Sequence, residues 1–156
     1  VVLNLKTDQE IRTAFNHIMK NARDGNPEAD IRGILLSSMA DKGVETIIGT
    51  KMDDQFGPVI MYGLGGIMVE ILKDVSFRVL PLSRRSARHM IRETQSAPIL
   101  EGIRGNLPYD RNAIVGLLLL CSELIESYPD ILEMDLNPVI VHHEGCSIAD
   151  ARIILK

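Results

Sequence analysis

The stretch from Glu133 to Asp150, EMDLNPVIVHHEGCSIAD, constrains the fold of this chain more than any other. Residues 131–141 and 147–155 alternate in side-chain character with a period of two, which is typical of half-buried strands. Between them, Glu144 and Gly145 lie in a polar patch that is typical of a turn. The sequence therefore predicts a β-hairpin near the end of the chain.

An even-numbered turn centred on this patch predicts the register of the hairpin. Position 142 would face 147, 139 would face 150, and 137 would face 152. Facing residues and residues two apart share one side of a sheet. One face is then apolar and predicted to join the core: Met134, Leu136, Pro138, Ile140, Ala149, Ala151, Ile153 and Leu155.

The opposite face of the predicted hairpin is acidic, and it holds Glu133, Asp135, Asn137, Asp150 and Arg152. Asp150 would lie diagonally from Asn137, about 7–8 Å away between backbones, which two short side chains can close onto one ion. Carboxylate and amide oxygens without a Lys suit a hard cation such as Mg²⁺, which takes one or two carboxylates and leaves other positions to water and phosphate. A solvated sheet face with ordinary charges is the alternative.

Composition sets limits on the class of protein. The chain has 156 residues, 46% hydrophobic and 24% charged, which fits one globular domain with a real core. A net charge of −4 and 4% aromatic residues give no sign of a nucleic-acid surface. The two cysteines lack metal spacing and favour a reducing, cytoplasmic setting. The apolar run 114–121 is too short for a membrane span, so we predict no membrane association.

The remaining patterns predict an α+β fold with a largely antiparallel sheet and packed helices. Three helices are expected: residues 9–22 capped by Thr7 or Asp8, 84–94 capped by Ser83, and 111–127 capped by Asp110. Strands are expected at 1–5, 31–39, 44–51, 58–62 and 76–80, with 31–39 and 44–51 forming a hairpin. Residues 67–72 fit either a helix or a strand.

Three segments taken together resemble a known family. The run GVETIIGTKMDDQFGPVIMYGLGGIMVEILKDVSFRVLPL, then LEGIRG, then LEMDLNPVIV with SIADARIIL, is similar to the ATP-grasp domain of the NDP-forming acyl-CoA synthetases. These are relatives of the ADP-forming acetyl-CoA synthetases and of the succinyl-CoA synthetase β subunit. The similarity covers nearly all of residues 1–156, so the resemblance implies one ATP-grasp domain with Mg²⁺ and ATP or ADP as cofactors.

The resemblance also implies roles for particular residues. Asn137 and Asp150 match its Mg²⁺ ligands, and Asp135 matches an acidic position that supports or shares the metal and borders the nucleotide. Residues 34–40 match the hinge strand that meets adenine. Four residues fall at nucleotide-contact positions: Ser37, Met39, Ala40 and Glu45, the last toward the ribose. Relatives carry Glu or Gln near position 37 or 38, where this chain has Ser37 and Ser38.

Glycines after the predicted strand at residues 58–62 leave two interpretations open. Gly65 and Gly66, with Gly63, could let a phosphate or CoA group approach the backbone, or they could serve a turn.

The resemblance implies a reaction that needs more than these residues. Members carry a His-Lys-(Ser/Thr)-Asp-x-Gly-Gly segment just before the position of Val1, together with a phosphate-gripping Lys, so we expect the ATP-grasp domain to be incomplete at its N-terminal side. The implied enzyme is an acid–thiol ligase that works with acyl-CoA and a partner domain carrying CoA and a phosphohistidine. This chain alone is then expected to bind nucleotide weakly and to be inactive. A non-catalytic regulatory domain of a protein acetyltransferase is the alternative.

Overall fold

The computed structural model describes residues 1–65, 73–102 and 107–156. Within these ranges the chain divides into two compact units, Val1–Met39 and Ala40–Lys156. The predictions for residues 67–72 and for Gly66 lie outside the described residues.

The first unit contains one helix, α1, from Asp8 to Gly25. Thr7 begins it with a capping box: its side chain accepts the Glu10 N–H, and the Glu10 carboxylate accepts the Thr7 N–H. Two predicted strands in this unit, residues 1–5 and 31–39, are wrong, because the backbone there has no regular secondary structure. A strand needs a ladder partner, and residues 44–53 pair instead with two later strands. The predicted hairpin between 31–39 and 44–51 is therefore also wrong.

The second unit is an antiparallel sheet of six strands covered on one face by two helices. The strands are β1 (Val44–Asp53), β2 (Gly57–Leu64), β3 (Val75–Val79), β4 (Ile131–Val141), β5 (Cys146–Ile148) and β6 (Ala151–Leu155). The order is β3-β2-β1-β4, and β5 and β6 both pair with the free edge of β4. The helices are α2 (Arg84–Glu93) and α3 (Arg111–Ser127), with a short 3₁₀ turn at Ala97–Glu101 between them.

The caps of α2 and α3 are those predicted from the sequence. Ser83 accepts the Ser86 N–H at 3.1 Å, and Asp110 accepts the Ala113 N–H at 3.0 Å. Both helices place their apolar sides on the sheet. The core contains Ile48 and Ile60 from the sheet, Met90 from α2, and Ile114 and Leu118 from α3, all fully buried. None of the described helices is long and apolar enough to cross a membrane.

The closing hairpin forms with a register two residues away from the predicted one. Asp135 faces Arg152, Leu136 faces Ala151, and Val141 faces Cys146. Asn137 and Asp150 are consequently opposite each other rather than diagonal, and the Asn137 N–H donates to the Asp150 carbonyl oxygen at 3.1 Å. A shift of two residues does not by itself change which face a side chain lies on, whereas a shift of one would exchange the faces.

An irregularity in β4 changes which residues reach the core. Thr46 faces Val139 but Ile48 faces Leu136, so two residues of β4 oppose one residue of β1. Met134 and Leu136 are buried before this bulge as predicted, but Val139 and Val141 are buried after it.

The prediction of a core face was therefore wrong at Pro138 and Ile140, which are half-buried. It was also wrong at four residues around β6 that are exposed: Ala149, Ala151, Ile153 and Leu155. No helix among the described residues covers that edge of the sheet, because α2 and α3 pack on strands β1–β4.

Asp74 provides a buried anchor between the sheet and the segment after α2. Its carboxylate accepts N–H groups from Gln95 and Ser96, each at 2.8 Å, and also the Ser96 hydroxyl. Burial acts to raise the pKa of Asp74, but the hydrogen bonds from Ser96 and Gln95 outweigh it and hold the pKa below its ordinary value. The ionised form is thus favoured by folding, with a contribution that is present at neutral pH and lost as pH falls through the folded-state pKa.

We expect Asp74→Asn to lower the free energy of unfolding by about 1–3 kcal/mol at pH 7, because an amide cannot accept all three bonds as strongly. The difference from the unchanged protein should shrink as pH drops below about 4, where unfolded Asp protonates. Urea unfolding at a series of pH values measures this. Glu123→Gln, on the exposed side of α3, is the charge-matched control and should show no such trend.

Candidate metal and nucleotide site

The face of the sheet opposite the helices carries Glu45 and the three predicted metal ligands. Asp135 faces Gly49 of β1 and Arg152 of β6 in register, and it points away from its buried neighbours Met134 and Leu136. Glu45 faces Ile140 farther along the same two strands. The alternation of β4 places Asp135, and that of β1 places Glu45, on a surface that the core does not use.

Asn137 and Asp150 form the part of the site that lies across the hairpin. Both are exposed, and their backbones are joined by the hydrogen bond described above. One carboxylate oxygen of Asp150 accepts the Ala151 N–H at 2.9 Å, which holds the carboxylate at the start of β6 and leaves its second oxygen available. Asp135, two residues before Asn137, makes no side-chain hydrogen bond or ion pair with the described residues.

These three side chains fit a hard divalent cation. They offer two carboxylates and one amide oxygen, a donor set that suits Mg²⁺ and excludes soft thiolate chemistry. Within the described ranges, no group of three or more His, Cys, Asp or Glu residues is placed to hold a metal ion. The set is thus sparse in charged ligands, which matches Mg²⁺ held by one or two carboxylates plus oxygens from water and phosphate.

The structure adds Lys51, a positive charge from outside the hairpin, to this surface, beside the Arg152 expected there. Lys51 of β1 faces Glu133 of β4, and Arg152 faces Asp135. Lys51 lies outside residues 133–150, so the hairpin sequence alone did not indicate a lysine at this surface. The sequence did show that Lys51 lies two residues after Gly49 on an alternating strand, and therefore on the same face as Gly49. That this face adjoins the acidic residues of β4 follows only from the pairing of β1 with β4.

The residues predicted to contact adenine lie in irregular backbone. Ser37 and Met39 belong to the first unit and are exposed, as is Ala40, where the second unit begins. The hinge strand expected at residues 34–40 is wrong, since no described segment pairs with it. Their assignment to the nucleotide stays a prediction.

Gly65 closely contacts the backbone of Glu45. The Gly65 N–H donates to the Glu45 carbonyl oxygen at 2.7 Å, and a Cβ at Gly65 would lie 3.1–3.2 Å from three atoms of Glu45. This glycine therefore holds the end of β2 against the start of β1. Its N–H is engaged in that contact, and a role in phosphate or CoA binding stays a prediction.

A second cluster supports the turn of the hairpin. The carboxylate of Asp110 accepts the Gly145 N–H at 2.9 Å as well as capping α3, and these bonds lower the pKa of Asp110. His143 stacks on Tyr109 with 4.8 Å between ring centroids, and a ring nitrogen of His142 is 2.9 Å from the Ser147 hydroxyl. The turn is thereby fixed to the start of α3, which steadies the strands that carry Asn137 and Asp150.

The two cysteines are free thiols. Cys121 is buried in the core, and burial together with the neighbouring Cys146 raises its pKa to about 11. Such a thiol is protonated at neutral pH and has little nucleophilic character.

Comparison with known proteins places this arrangement in a family. The sequence profile of the ATP-grasp domain matches residues 1–155. The chain belongs to the ATP-grasp family. This ATP-grasp chain is 50% identical over 159 aligned residues to the beta subunit of acetate–CoA ligase [ADP-forming] II of Pyrococcus furiosus, covering 100% of the chain and 67% of that subunit.

Solved structures agree with the ATP-grasp assignment. An acetyl-coenzyme A synthetase 1 from Ca. Korarchaeum cryptofilum, in complex with coenzyme A, Ca-AMPCP and HgCl⁺, has a TM-score of 0.94 and 45% identity, over 99% of this chain and 68% of that one.

The same synthetase with coenzyme A and Mg-AMPPCP has a TM-score of 0.87 and 42% identity, over 99% of this chain and 67% of that one. In that structure a phosphohistidine segment points towards the nucleotide binding site. The predicted family and fold class are confirmed, and these relatives give no support to the regulatory alternative.

Proposed function

We propose that this chain is the Mg²⁺–nucleotide-binding part of an ADP-forming acyl-CoA ligase. The observation that carries the proposal is the pairing of Asn137 with Asp150, beside Asp135, on an open sheet face. The P. furiosus subunit that this chain matches is named as part of an acetate–CoA ligase, and the chain spans about two thirds of its length. The overall reaction therefore concerns the whole protein and not this chain by itself.

The proposed reaction joins an acid and CoA at the expense of ATP, giving acyl-CoA, ADP and phosphate. The phosphoryl group would pass through a phosphohistidine on a partner domain, since such a segment points towards the nucleotide binding site in the Korarchaeum synthetase. When bound, the cation would neutralise charge on the phosphates and on the phosphoryl group in transfer.

The residues of this chain would bind and orient the nucleotide. Asn137 and the free oxygen of Asp150 would hold the cation, and Asp135 would add a second carboxylate from the same strand as Asn137. Glu45, on the open face at the other end of β1, would accept a hydrogen bond from the ribose. Together these groups would fix the direction of the phosphate chain along β1 and β4, which is the positioning that phosphoryl transfer mainly requires.

The test is synthesis of ATP by the full-length protein that contains this chain. With its partner subunit or domain present, the protein should form ATP from ADP, phosphate, Mg²⁺ and acetyl-CoA or another acyl-CoA. Reactions without acyl-CoA, or with excess EDTA, serve as controls and should yield none. If no member of a broad acyl-CoA panel supports ATP formation, the ligase function is wrong.

A further inference from the structure

A cavity of about 300 Å³ opens on the sheet face that carries Asp135. Its walls combine an apolar side, formed by Val59, Met61 and Phe77, with a charged side, formed by Lys51, Glu133 and Asp135. Phe77 is 55% exposed, although it is a large aromatic side chain on a strand. This site is concave, partly apolar and charged at one edge, which is the usual character of a small-ligand site.

The floor of the cavity is Gly49, in the middle of β1. Its backbone does not require glycine: φ is not in the left-handed region, and a Cβ would lie 3.5 Å from Met61 Cε and 3.8 Å from the Met134 carbonyl oxygen. Those are ordinary contacts, unlike the overlap that a Cβ would meet at Gly43 or the tight contacts of 3.1–3.2 Å at Gly65. Glycine weakens a strand interior, and at Gly49 the missing side chain leaves room for a ligand to approach the backbone closely.

Lys51 is the cationic group at the edge of this cavity. It is exposed, faces Glu133 across β1 and β4, and makes no ion pair within 4.0 Å with any described carboxylate. Two carboxylates and one ammonium leave the edge negative, and a bound divalent cation would make it positive. An anion would then be attracted between the cation and Lys51.

The strand register gives this cavity a definite place along the proposed nucleotide. Glu45, Gly49 and Lys51 follow one another down the open face of β1 and lie opposite Ile140, Asp135 and Glu133. Asn137 falls between the first two of these pairs. If Glu45 meets the ribose and Asn137 the cation, Lys51 is beyond the cation, about 20 Å along β1 from Glu45.

We propose that the cavity over Gly49 binds a phosphoryl group and that Lys51 contacts it directly. The inference rests on the proposed nucleotide site and extends it by one residue and one subsite. The phosphoryl group has two sources with the same chemistry, the terminal phosphate of the nucleotide or the phosphoryl group carried on the partner segment. Lys51 is suited to either, because an ammonium binds phosphate as a compact point charge.

The first test compares Mg-ATP and Mg-AMP binding by calorimetry in the full-length protein. We expect Lys51→Met to weaken Mg-ATP binding by about tenfold or more, the usual effect of losing a hydrogen bond to a charged group. Binding of Mg-AMP, which lacks the terminal phosphate, should be unchanged. Arg85→Met removes the same charge from α2, which packs on the opposite face of the sheet, and should alter neither affinity.

The second test separates the two sources of the phosphoryl group. In a single-turnover measurement, phosphoryl transfer from the labelled partner histidine to saturating ADP should slow by tenfold or more in Lys51→Met if the group arrives on the partner. If Lys51→Met instead lowers Mg-ATP affinity, the phosphoryl group in the cavity is the terminal phosphate of the nucleotide. If affinity and transfer rate both match the unchanged protein, Lys51 has no such role.

Filling the cavity provides an independent variant. Gly49→Leu should block the subsite and reproduce the Lys51→Met effect, whereas Gly49→Ala, whose Cβ fits without a clash, should have little effect on folding. Should Gly49→Leu fail to fold, Lys51→Met still decides the matter. Loss of Mg-ATP binding in Asp150→Ala, with both Mg-ATP affinity and phosphoryl-transfer rate unchanged in Lys51→Met, would overturn this inference alone. Unchanged affinity and rate in both variants would also overturn the proposed nucleotide site.

Discussion

Replacing Asp150 by alanine is expected to weaken Mg²⁺-dependent nucleotide binding by more than about 100-fold. Loss of groups that merely support metal ligands costs about 10–100-fold in affinity, and Asp150 is proposed as a direct ligand. Its role cannot be taken over by Asn137, which has one neutral oxygen to offer. Calorimetric titration of the full-length protein with Mg-ATP measures the effect.

The design of this experiment must separate metal binding from folding. Asp150 is exposed and its carboxylate bonds only the next backbone N–H, so Asp150→Ala should change the free energy of unfolding little. Asp150→Asn keeps one oxygen and the shape of the side chain but loses its charge. Its Mg-ATP affinity should lie between those of Asp150→Ala and the unchanged protein.

Glu144→Ala is a suitable control, because it removes an exposed carboxylate from the turn of the same hairpin. Mg-ATP affinity that stays within twofold in Asp150→Ala would show that the cation is not held here.

Nucleotide binding without Mg²⁺ should respond differently. If Asp150 acts through the cation, binding of ATP in excess EDTA is weak already and is insensitive to the substitution. Removing the carboxylate even relieves repulsion of the phosphates there. The two titrations together therefore distinguish a metal ligand from a residue that contacts the nucleotide itself.

The hairpin shows why part of this site was readable from the sequence. Face assignment depends only on whether a register error is even or odd. The predicted register was two residues off, so Asp135, Asn137 and Asp150 still fell on the polar side. The caps at Thr7, Ser83 and Asp110 were predicted for a similar reason, since each bond spans three residues of local sequence.

Features that depend on contacts between distant parts of the chain could not be predicted from the sequence. Residues 31–39 have the composition of a strand, but a strand forms only where another backbone pairs with it, and no local pattern encodes that partner. The bulge opposite Ile47 moved burial from Pro138 and Ile140 to their neighbours, because one extra residue on β4 reverses the alternation. Lys51 joined the acidic surface only through pairing across 82 positions of sequence, between β1 and β4, as the register of Lys51 with Glu133 shows.

Gly43→Ala is expected to destabilise the second unit strongly. A Cβ there would overlap the Val141 carbonyl oxygen and lie 2.7 Å from Ile140 Cγ2. A backbone oxygen that is part of a ladder cannot rotate away as a flexible side chain can, so the start of β1 must separate from β4. The cost should reach about 3 kcal/mol, the upper end for overpacking.

Gly116→Ala is the matched control for this change, with an effect of opposite sign. Gly116 lies within α3, and a Cβ there would meet nothing within 4 Å. Alanine favours a helix interior over glycine by about 1 kcal/mol, so this variant should be more stable. In urea unfolding, the free energy of unfolding should therefore be lower than that of the unchanged protein for Gly43→Ala and higher for Gly116→Ala.

The position of Gly43 connects this stability effect to the site. Glu45 follows it on β1, and Ile140 and Val141 continue the strand that carries Asn137. Separation of the two strands at this end should therefore also displace Glu45 from Asn137, and weaken Mg-ATP binding even at temperatures where Gly43→Ala is fully folded. Equal stability of Gly43→Ala and the unchanged protein would mean that β1 and β4 do not approach as closely at this end as the structure has them.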